Sequence, residues 1–507
     1  MGARTGEQFI QRLRQQAPEV WHRGERVKDI TTEPGFANGI RSLAGLYDRQ
    51  FEYADTMLFD SPDVAEPVPR SFMIPKTKQE LHGIGEAMKC ASNYSLGMMG
   101  RDPSYLNRAM SAYAAGADFL SDYGEGFGEH ARDYHRYLRD NDLSSTHTLI
   151  NPQINRAVSA AHQADPFLAA RVKEERDDGI VIKGARMLAT LPVSDEIMAF
   201  PSTLLRNPEE DAPYAFAFAI PNSTPGLKFL CRESMDYGRN HFDHPLGSRF
   251  EELDAVVLFD DVFVPWEKVF IYRNVEACNN VYARTGAIVH MSHQVVCKNI
   301  AKTEFLLGLV SLMIDAIGVE KFQHIHEKTT EIWVNLETMK AFRRAAEVDA
   351  APNEHGVMTP AWAPLDAARQ LYPRLYPRMI EIVQQIGASG LVAMPTQADL
   401  EGPLAGEVEK YFQSARLQAR DRIPLFRLAW DAAVSAFGSR QVLYERFFFG
   451  DPVRMAGVVF QKHDRTPYME MVRDFLRARQ DEEPEHKPAR QPRRRPRQQP
   501  AQAALGH

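Results

Sequence analysis

The sequence predicts an α+β fold that is mostly α: a helical N-terminal region, a small antiparallel β-barrel, then a C-terminal four-helix bundle. Three observations carry this. Apolar residues at three- and four-residue spacing recur before about position 155 and again after about 276, as helices buried on one face require. Between those regions, short runs alternate with period two and are bounded by Pro, Gly or Asp, with no helix separating them. The final stretch lacks the apolar residues needed to fold. The expected domains are therefore 1–155, 156–275 and 276–480, followed by a disordered Pro-, Arg- and Gln-rich tail at 481–507.

Size and composition narrow the function. The 507 residues, 44% hydrophobic and 25% charged, suit a large globular protein with an ample core. A net charge of −7 argues against nucleic acid as the main partner. The longest apolar run, Phe305 to Ile314, falls far short of the roughly 18 residues of a membrane span. The N-terminus has no apolar signal core, and Gly6 spoils a myristoylation pattern. Cys90, Cys231, Cys278 and Cys297 form no CxxC pair and read as reduced thiols of a cytoplasmic protein.

In chain order, Thr5 to Arg14 opens with a capping signature, Thr5 followed by Glu7 and Gln8. Gln79 to Ala91 and Tyr105 to Tyr123 show helical spacing. The intervening Leu96-Gly-Met-Met-Gly-Arg-Asp-Pro-Ser-Tyr105 reads as a turn, with Asp102 or Ser104 placed to cap the next helix. Ser144 to Arg156 has neither helical nor strand period, and Pro152 removes a backbone donor. It gathers His147, two flanking threonines, three amides and Arg156, which fits a surface loop or a site equally well. Asp178 to Thr190 reads as two short strands through a tight turn, and Tyr214 to Ile220, Leu227 to Cys231 and Asp254 to Val264 as further strands. Ile288 to Ile317, Lys321 to Val348, Ala363 to Ile386 and Gly406 to Phe437 are long enough to span a bundle. His290, His293, His324 and His326 lack a complementary ligand set, so no metal is expected. Trp266 reads as a plug at the edge of the β region, and Arg490 to Arg497 as a solvated charge cluster.

Helices, a small β region, then a bundle is the order of acyl-CoA dehydrogenases, in which flavin lies between the last two; this much is an analogy of fold. Five motifs make the likeness more specific. They are Gly100-Arg-Asp-Pro-Ser-Tyr105, His147-Thr-Leu-Ile-Asn-Pro-Gln153, Gly179-Ile-Val-Ile-Lys-Gly-Ala-Arg-Met-Leu-Ala-Thr190, Phe259-Asp-Asp-Val-Phe-Val-Pro-Trp-Glu-Lys-Val-Phe270 and Tyr444-Glu-Arg-Phe-Phe-Phe-Gly-Asp-Pro452. Through them the chain resembles the oxygenase component of two-component, FAD-dependent aromatic hydroxylases, the 4-hydroxyphenylacetate 3-monooxygenase family with its chlorophenol and pyoverdine-chromophore relatives. The likeness runs from Thr5 to about Arg477.

The resemblance implies an FADH2-dependent monooxygenase that hydroxylates a para-substituted phenol to a catechol with O2, through a flavin C4a-hydroperoxide. It implies that a separate NAD(P)H-dependent reductase supplies the reduced flavin; no GxGxxG nicotinamide fingerprint occurs here. It places Arg101, Tyr105 and His147 on the substrate phenol as the catalytic set. It places His147, Thr148, Leu149, Gln153, Ile154, Asn155, Arg156 and Thr190 along the flavin, with Gly450, Asp451, Pro452 and Val453 closing over it. Gly450 and Pro452 read alternatively as a helix terminator. Ser202 and Thr203 match the positions for the substrate's side chain, in a loop that also carries the acidic Asn207-Pro-Glu-Glu-Asp211. That departure leaves a tyrosine-derived or carrier-tethered tyrosyl substrate, or a chlorophenol, as alternatives to 4-hydroxyphenylacetate. A homotetramer built on the bundle is also implied.

The chemistry explains the residue types. Activated oxygen on flavin is electrophilic and reacts best with a phenolate, yet a phenol of pKa about 10 is neutral at pH 7. A histidine can take or share the proton. A guanidinium in a dry site holds the anion. Each residue also has an ordinary reading: Arg101 as a surface charge, Tyr105 as a first-turn helix residue, His147 as a loop imidazole.

Overall fold

Thr5 and Gln8 cap each other, Thr5 Oγ1 accepting from the Gln8 N–H at 3.3 Å and the Gln8 amide oxygen from the Thr5 N–H at 2.8 Å. Helix Gly6–Gln16 therefore starts where its sequence signature places it. The computed structural model describes residues 2–152, 154–201 and 205–482. Gln153, Ser202, Thr203 and the tail expected to be disordered lie outside the described residues. Two compact units divide the chain, Met1–Pro452 and Val453–His507.

In the large unit the helices follow the apolar periodicity, with breaks at polar signals. Lys78–Tyr94 forms as one helix under a Thr77–Glu80 capping box. The expected Tyr105–Tyr123 helix is instead two, Pro103–Ala115 and Ala117–Ser121. It breaks at Gly116, where any Cβ would lie 2.9 Å from the Thr285 backbone. The bundle is built from Ala287–Ile317, Gln323–Val348 and Trp362–Gly387, packed against one another. The fourth expected helix is split into Ala405–Tyr411, Ala419–Ala433 and Ala436–Phe447. Ser435 causes the last break: its hydroxyl donates to the Asp431 carbonyl and accepts from the Gly438 N–H, capping a new helix.

Among the described residues the strands form two larger open sheets and two two-stranded pairs, and no sheet closes into the expected barrel. The larger sheet runs Glu25–Arg26, Glu19–His22, Leu227–Cys231, Asp254–Pro265, Gly179–Thr190, Arg171–Arg176. The smaller runs Val269–Tyr272, Phe216–Pro221, Glu196–Ala199, Ser145–Thr148. Neither is purely antiparallel, because Glu19–His22 and Ser145–Thr148, both from outside 156–275, join in parallel. Asp178 to Thr190 is one strand rather than two. Gly184, at φ +116°, bends it without a turn, and a Cβ there would lie 2.5 Å from the Ala169 carbonyl oxygen.

The C-terminal unit's described part consists of the remainder of helix Pro452–Lys462 and helix Thr466–Glu482. Val453, Phe460, Tyr468, Phe475 and Leu476 are exposed on it.

Candidate active site

Ser145–Thr148 has no apolar alternation, yet it is a fully buried strand at the edge of the smaller sheet. Its hydroxyls substitute for apolar packing. Thr146 Oγ1 donates to the Thr190 carbonyl, and Thr148 Oγ1 donates to the Met187 carbonyl at 3.2 Å. Both threonines therefore face strand Gly179–Thr190, and by the two-residue period His147 faces the other way. There it meets Tyr105 at 5.9 Å between ring centroids and Phe200 at 5.1 Å.

Tyr105 is placed by its helix start. Pro103 occupies the first turn, and Asp102, one of the two expected caps, accepts from the Ser104 N–H at 2.9 Å. Asp102 also accepts from the Gln294 amide at 3.1 Å, which ties this start to the bundle. The residue before the cap is Arg101. Its guanidinium carbon lies 4.2 Å from the Tyr105 ring centroid, 3.9 Å from that of Phe448 and 5.7 Å from that of Tyr444. Its backbone N–H donates to Glu252 at 2.9 Å, and the other Glu252 oxygen accepts from Arg440 at 3.0 Å.

The three residues expected to act on a phenol thus converge in a dry place. Tyr105 is 6% exposed and His147 8%. Arg101 Nε and Nη1 and His147 Nδ1 are buried without a hydrogen-bond partner. Burial, reinforced by the Arg101 charge, holds the His147 imidazole well below its ordinary pKa, so it is neutral at pH 7. Arg101 is pulled down by burial but more than compensated by Tyr105, Tyr444 and Glu252, and stays a cation. Unsatisfied buried polar groups of this kind are costly, and a ligand with an anionic, hydrogen-bonding end would satisfy them.

The remaining expected residues divide. Thr148 and Leu149 continue the His147 strand, and Arg186 fixes the strand's exit by donating to the carbonyls of Leu149 at 3.2 Å and Phe200 at 2.6 Å. Thr190 accepts Thr146 on its carbonyl and donates its hydroxyl to Asp254 at 3.1 Å. Ile154, Asn155 and Arg156 lie on an exposed irregular segment, where Asn155 Oδ1 accepts from the Ala157 N–H at 3.0 Å. Gly450, at φ +105°, ends the turn after helix Ala436–Phe447 with open space where a Cβ would be. Asp451 and Pro452 follow it, and Val453 begins the separate C-terminal unit.

The surroundings fit a flat aromatic cofactor with a phosphate end. Ile150, which bridges to Met187, is 43% exposed, and Leu188 beside that bridge is 46% exposed. Arg156 is an exposed cation on the same segment. The acidic loop is less forbidding than its composition, because Asp211 is buried and turned inward. It accepts from the backbone N–H groups of Arg206 at 2.7 Å and Asn207 at 3.1 Å.

Several neighbours of the site escaped sequence reasoning. Phe448, Tyr444, Glu252 and Arg440 surround Arg101, and Lys298 with Lys302 meets Glu445 behind this shell. One signal was available: two lysines four apart in an otherwise apolar bundle helix require a buried anion. His290 and His293 pack in the bundle, His293 against Glu347 at 2.8 Å. Trp266 sits at the end of strand Asp254–Pro265, its indole donating to the Arg176 carbonyl at 3.2 Å.

Comparison with known proteins agrees with this layout. Residues 5–271 match the family profile described as 4-hydroxyphenylacetate 3-hydroxylase N terminal, and residues 278–477 the corresponding C terminal profile. A 4-hydroxyphenylacetate 3-monooxygenase oxygenase component of Thermus thermophilus is 50% identical over 477 residues, 94% of this chain and 98% of that protein. The crystal structure of such an oxygenase component complexed with FAD and 4-hydroxyphenylacetate superposes with a TM-score of 0.91 at 50% identity, covering 94% of this chain and 99% of that one. An archaeal 4-hydroxybutyryl-CoA dehydratase from N. maritimus, at 20% identity and a TM-score of 0.85, shares the acyl-CoA dehydrogenase-like fold. It covers 94% of this chain and 95% of its own. The chain belongs to the 4-hydroxyphenylacetate 3-hydroxylase family.

Proposed function

We propose that the protein is the oxygenase component of a two-component, FAD-dependent aromatic monooxygenase that converts a para-substituted phenol to the corresponding catechol. The observation that carries this reading is the buried convergence of Arg101, Tyr105 and His147 with polar atoms left unpartnered. Its nearest chemical match is the substrate named for its relatives, 4-hydroxyphenylacetate.

Reduced FAD, when bound, supplies two electrons and activates O2, so that one oxygen atom enters the ring and the other leaves as water. The chain's own residues prepare the ring. Arg101 offers a fixed cation to the phenol oxygen, and the buried setting strengthens that attraction. Neutral His147 takes the phenolic proton at Nδ1, or shares it, as the substrate ionises. Tyr105 walls the ring and covers the Arg101 face. Thr148, Leu149, Ile154, Asn155, Arg156 and Thr190 would hold the cofactor, together with Gln153 and the segment Gly450, Asp451, Pro452, Val453. Ser202 and Thr203 would meet the substrate's side chain. A separate reductase delivers the flavin, as the words "oxygenase component" in the relatives' names imply.

A carrier-tethered tyrosyl group is the second reading, favoured by the exposed carboxylates Glu209 and Glu210 on the loop that follows Thr203. We read three domains at 1–155, 156–275 and 276–480, and a cytoplasmic location in keeping with four free thiols. Among the described residues no helix is long and apolar enough to cross a membrane. A homotetramer is supported by apolar side chains on helix Gln323–Val348 such as Trp333, which is 53% exposed. Sedimentation of an active monomer at micromolar concentration would refute that assembly.

Purified protein mixed with FAD, NADH, a flavin reductase and O2 is expected to convert 4-hydroxyphenylacetate to its catechol. Oxidation of NADH without catechol from 4-hydroxyphenylacetate, tyrosol, a chlorophenol or a carrier-bound tyrosine would overturn the reading.

A further inference from the structure

Helix Ala436–Phe447 and the residues that follow it present two stripes at four-residue spacing. Arg440, Tyr444 and Phe448 form the first. Arg440 pairs with Glu252 and Asp254, while the Tyr444 and Phe448 rings flank Arg101. Gln441 and Glu445 form the second, which faces helix Ala287–Ile317. Glu445 accepts Lys298 on both oxygens, at 2.6 and 2.8 Å, and Lys302 at 2.5 Å. Gln441 accepts Lys302 at 2.8 Å and donates to the Met98 carbonyl at 3.0 Å, in the turn that leads to Arg101.

Two buried ammonium groups thus share one carboxylate. Lys302 is absorbed by Gln441 and Glu445 and lies 5.0 Å from the Tyr376 ring. Lys298 is different, because it also lies 5.0 Å from the centre of the Phe448 ring and 5.6 Å from that of Tyr444. These are rings that Arg101 also covers, so Lys298 and Arg101 share the Phe448 ring, and Arg440 joins them at Tyr444, 4.4 Å from its centroid. The groups facing Lys298 are Glu445, Tyr444 and Arg101, with Tyr372 from helix Trp362–Gly387 and Lys302 on its own helix. Arg440 is paired with Glu252, which spreads its charge away from Lys298. No carboxylate is hydrogen-bonded to the Arg101 side chain among the described residues; Glu252 takes only its backbone N–H.

We propose that Lys298 is a positioning residue for Arg101: its ammonium, pinned by Glu445 beside the shared Phe448 ring, repels the guanidinium toward Tyr105 and His147 and adds to the positive field that ionises a bound phenol. The inference rests on the phenol-hydroxylase reading and adds a residue to it. Burial pulls the Lys298 pKa down, and Lys302 and Arg101 pull the same way against Glu445. Its pKa is thereby brought down to about 7, so its charge is fully present in mildly acidic solution and its contribution fades as pH rises through neutrality.

The test uses the full chain and 4-nitrophenol, whose phenolate is yellow and whose bound pKa is read without turnover. Lys298→Met leaves Glu445 paired one-to-one with Lys302. It is expected to raise the pKa of bound 4-nitrophenol by about one unit, roughly tenfold in the ratio of ionised to neutral phenol. Catechol formed per NADH should fall at neutral pH and recover in alkaline buffer. Lys298→Arg, which keeps the charge, should retain the parent value. Lys302→Met removes a lysine that does not reach Phe448 and should shift it far less. An unchanged bound pKa in K298M, or equal shifts in K298M and K302M, would overturn the proposal. So would a uniform loss of activity with the parent's pH profile. Should K298M not fold, K298Q carries the same expectation. Failure of the underlying reading looks different: the parent itself would make no catechol.

Discussion

Two arginines in the large unit, Arg4 buried and Arg101 half-buried, are treated in opposite ways. Arg4 has its guanidinium tip bound: Asp195 takes both terminal nitrogens, and the Tyr47 hydroxyl lies 3.0 Å away. Asp195 also accepts the Ser144 N–H and hydroxyl at 2.8 Å and pairs with Arg12 at 3.1 Å. Arg101 is enclosed by the faces of Tyr105, Tyr444 and Phe448, and two of its nitrogens have no partner. A buried charge with its counterion supplied by the chain holds the fold together. A charge whose nitrogens the chain leaves without a hydrogen-bonded carboxylate is free to take an anion from outside. The pair therefore separates structural from functional burial within one molecule.

Breaking each side should give opposite signatures. Asp195→Ala strands Arg4, Arg12 and Ser144 and is expected to cost about 3–5 kcal/mol, read by chemical unfolding. Loss of less than about 1 kcal/mol would mean that the Arg4 cluster is not structural. Arg101→Met should leave the unfolding midpoint no lower than the parent's, since it removes an unpaired charge. Its catechol turnover should fall roughly 100- to 1000-fold, which corresponds to about 3–4 kcal/mol in the transition state. A variant both unstable and inactive would erase the contrast.

The contrast was only half legible in the sequence. Arg101 and Tyr105 stand in a Gly-Arg-Asp-Pro-Ser-Tyr turn whose cap and proline are local signals, and the structure keeps that turn intact. His147 lies in a strand that polar residues conceal. Thr146 and Thr148 bury their hydroxyls against carbonyls of Gly179–Thr190, and such pairing leaves no apolar alternation to read. The sheet order was not legible because Glu19–His22 and Ser145–Thr148 pair with strands far along the chain, beyond the reach of local periodicity. The Arg101 shell is hidden for the same reason. Glu445 is 147 residues from Lys298, and no spacing rule connects them.

His147→Asn sharpens the functional side. It keeps a polar side chain but cannot accept the phenolic proton. The expected loss of product is about 10- to 100-fold at neutral pH, with oxygen diverted to hydrogen peroxide. Coupling should recover as pH rises, because more substrate arrives ionised. Comparing catechol with peroxide across pH checks this, and parent-like coupling at neutral pH would remove His147 from the role given it.

A cluster around Glu347, smaller in effect, calibrates the structural side. Glu347 accepts His293 and Arg343 at 2.8 and 2.7 Å, and these partners hold its carboxyl at about 2 against the pull of burial. A depressed carboxylate contributes stability above its unfolded pKa and loses it as pH falls through the folded value. Glu347→Gln should therefore cost about 1–2 kcal/mol at pH 7. That gap should narrow between about pH 4.5 and pH 2, as measured by denaturant titration. A gap independent of pH would exclude the ion pair as its source.

The central claim is that the unpaired Arg101 charge awaits a phenolate. The most direct measurement is the ionisation of 4-nitrophenol bound to the parent and to Arg101→Met, followed by absorbance across pH. The account predicts a bound pKa below that of the free phenol in the parent, returning to the free value or above it in R101M. A parent that binds the phenol without shifting its pKa, or an R101M variant that shifts it equally, would contradict the account.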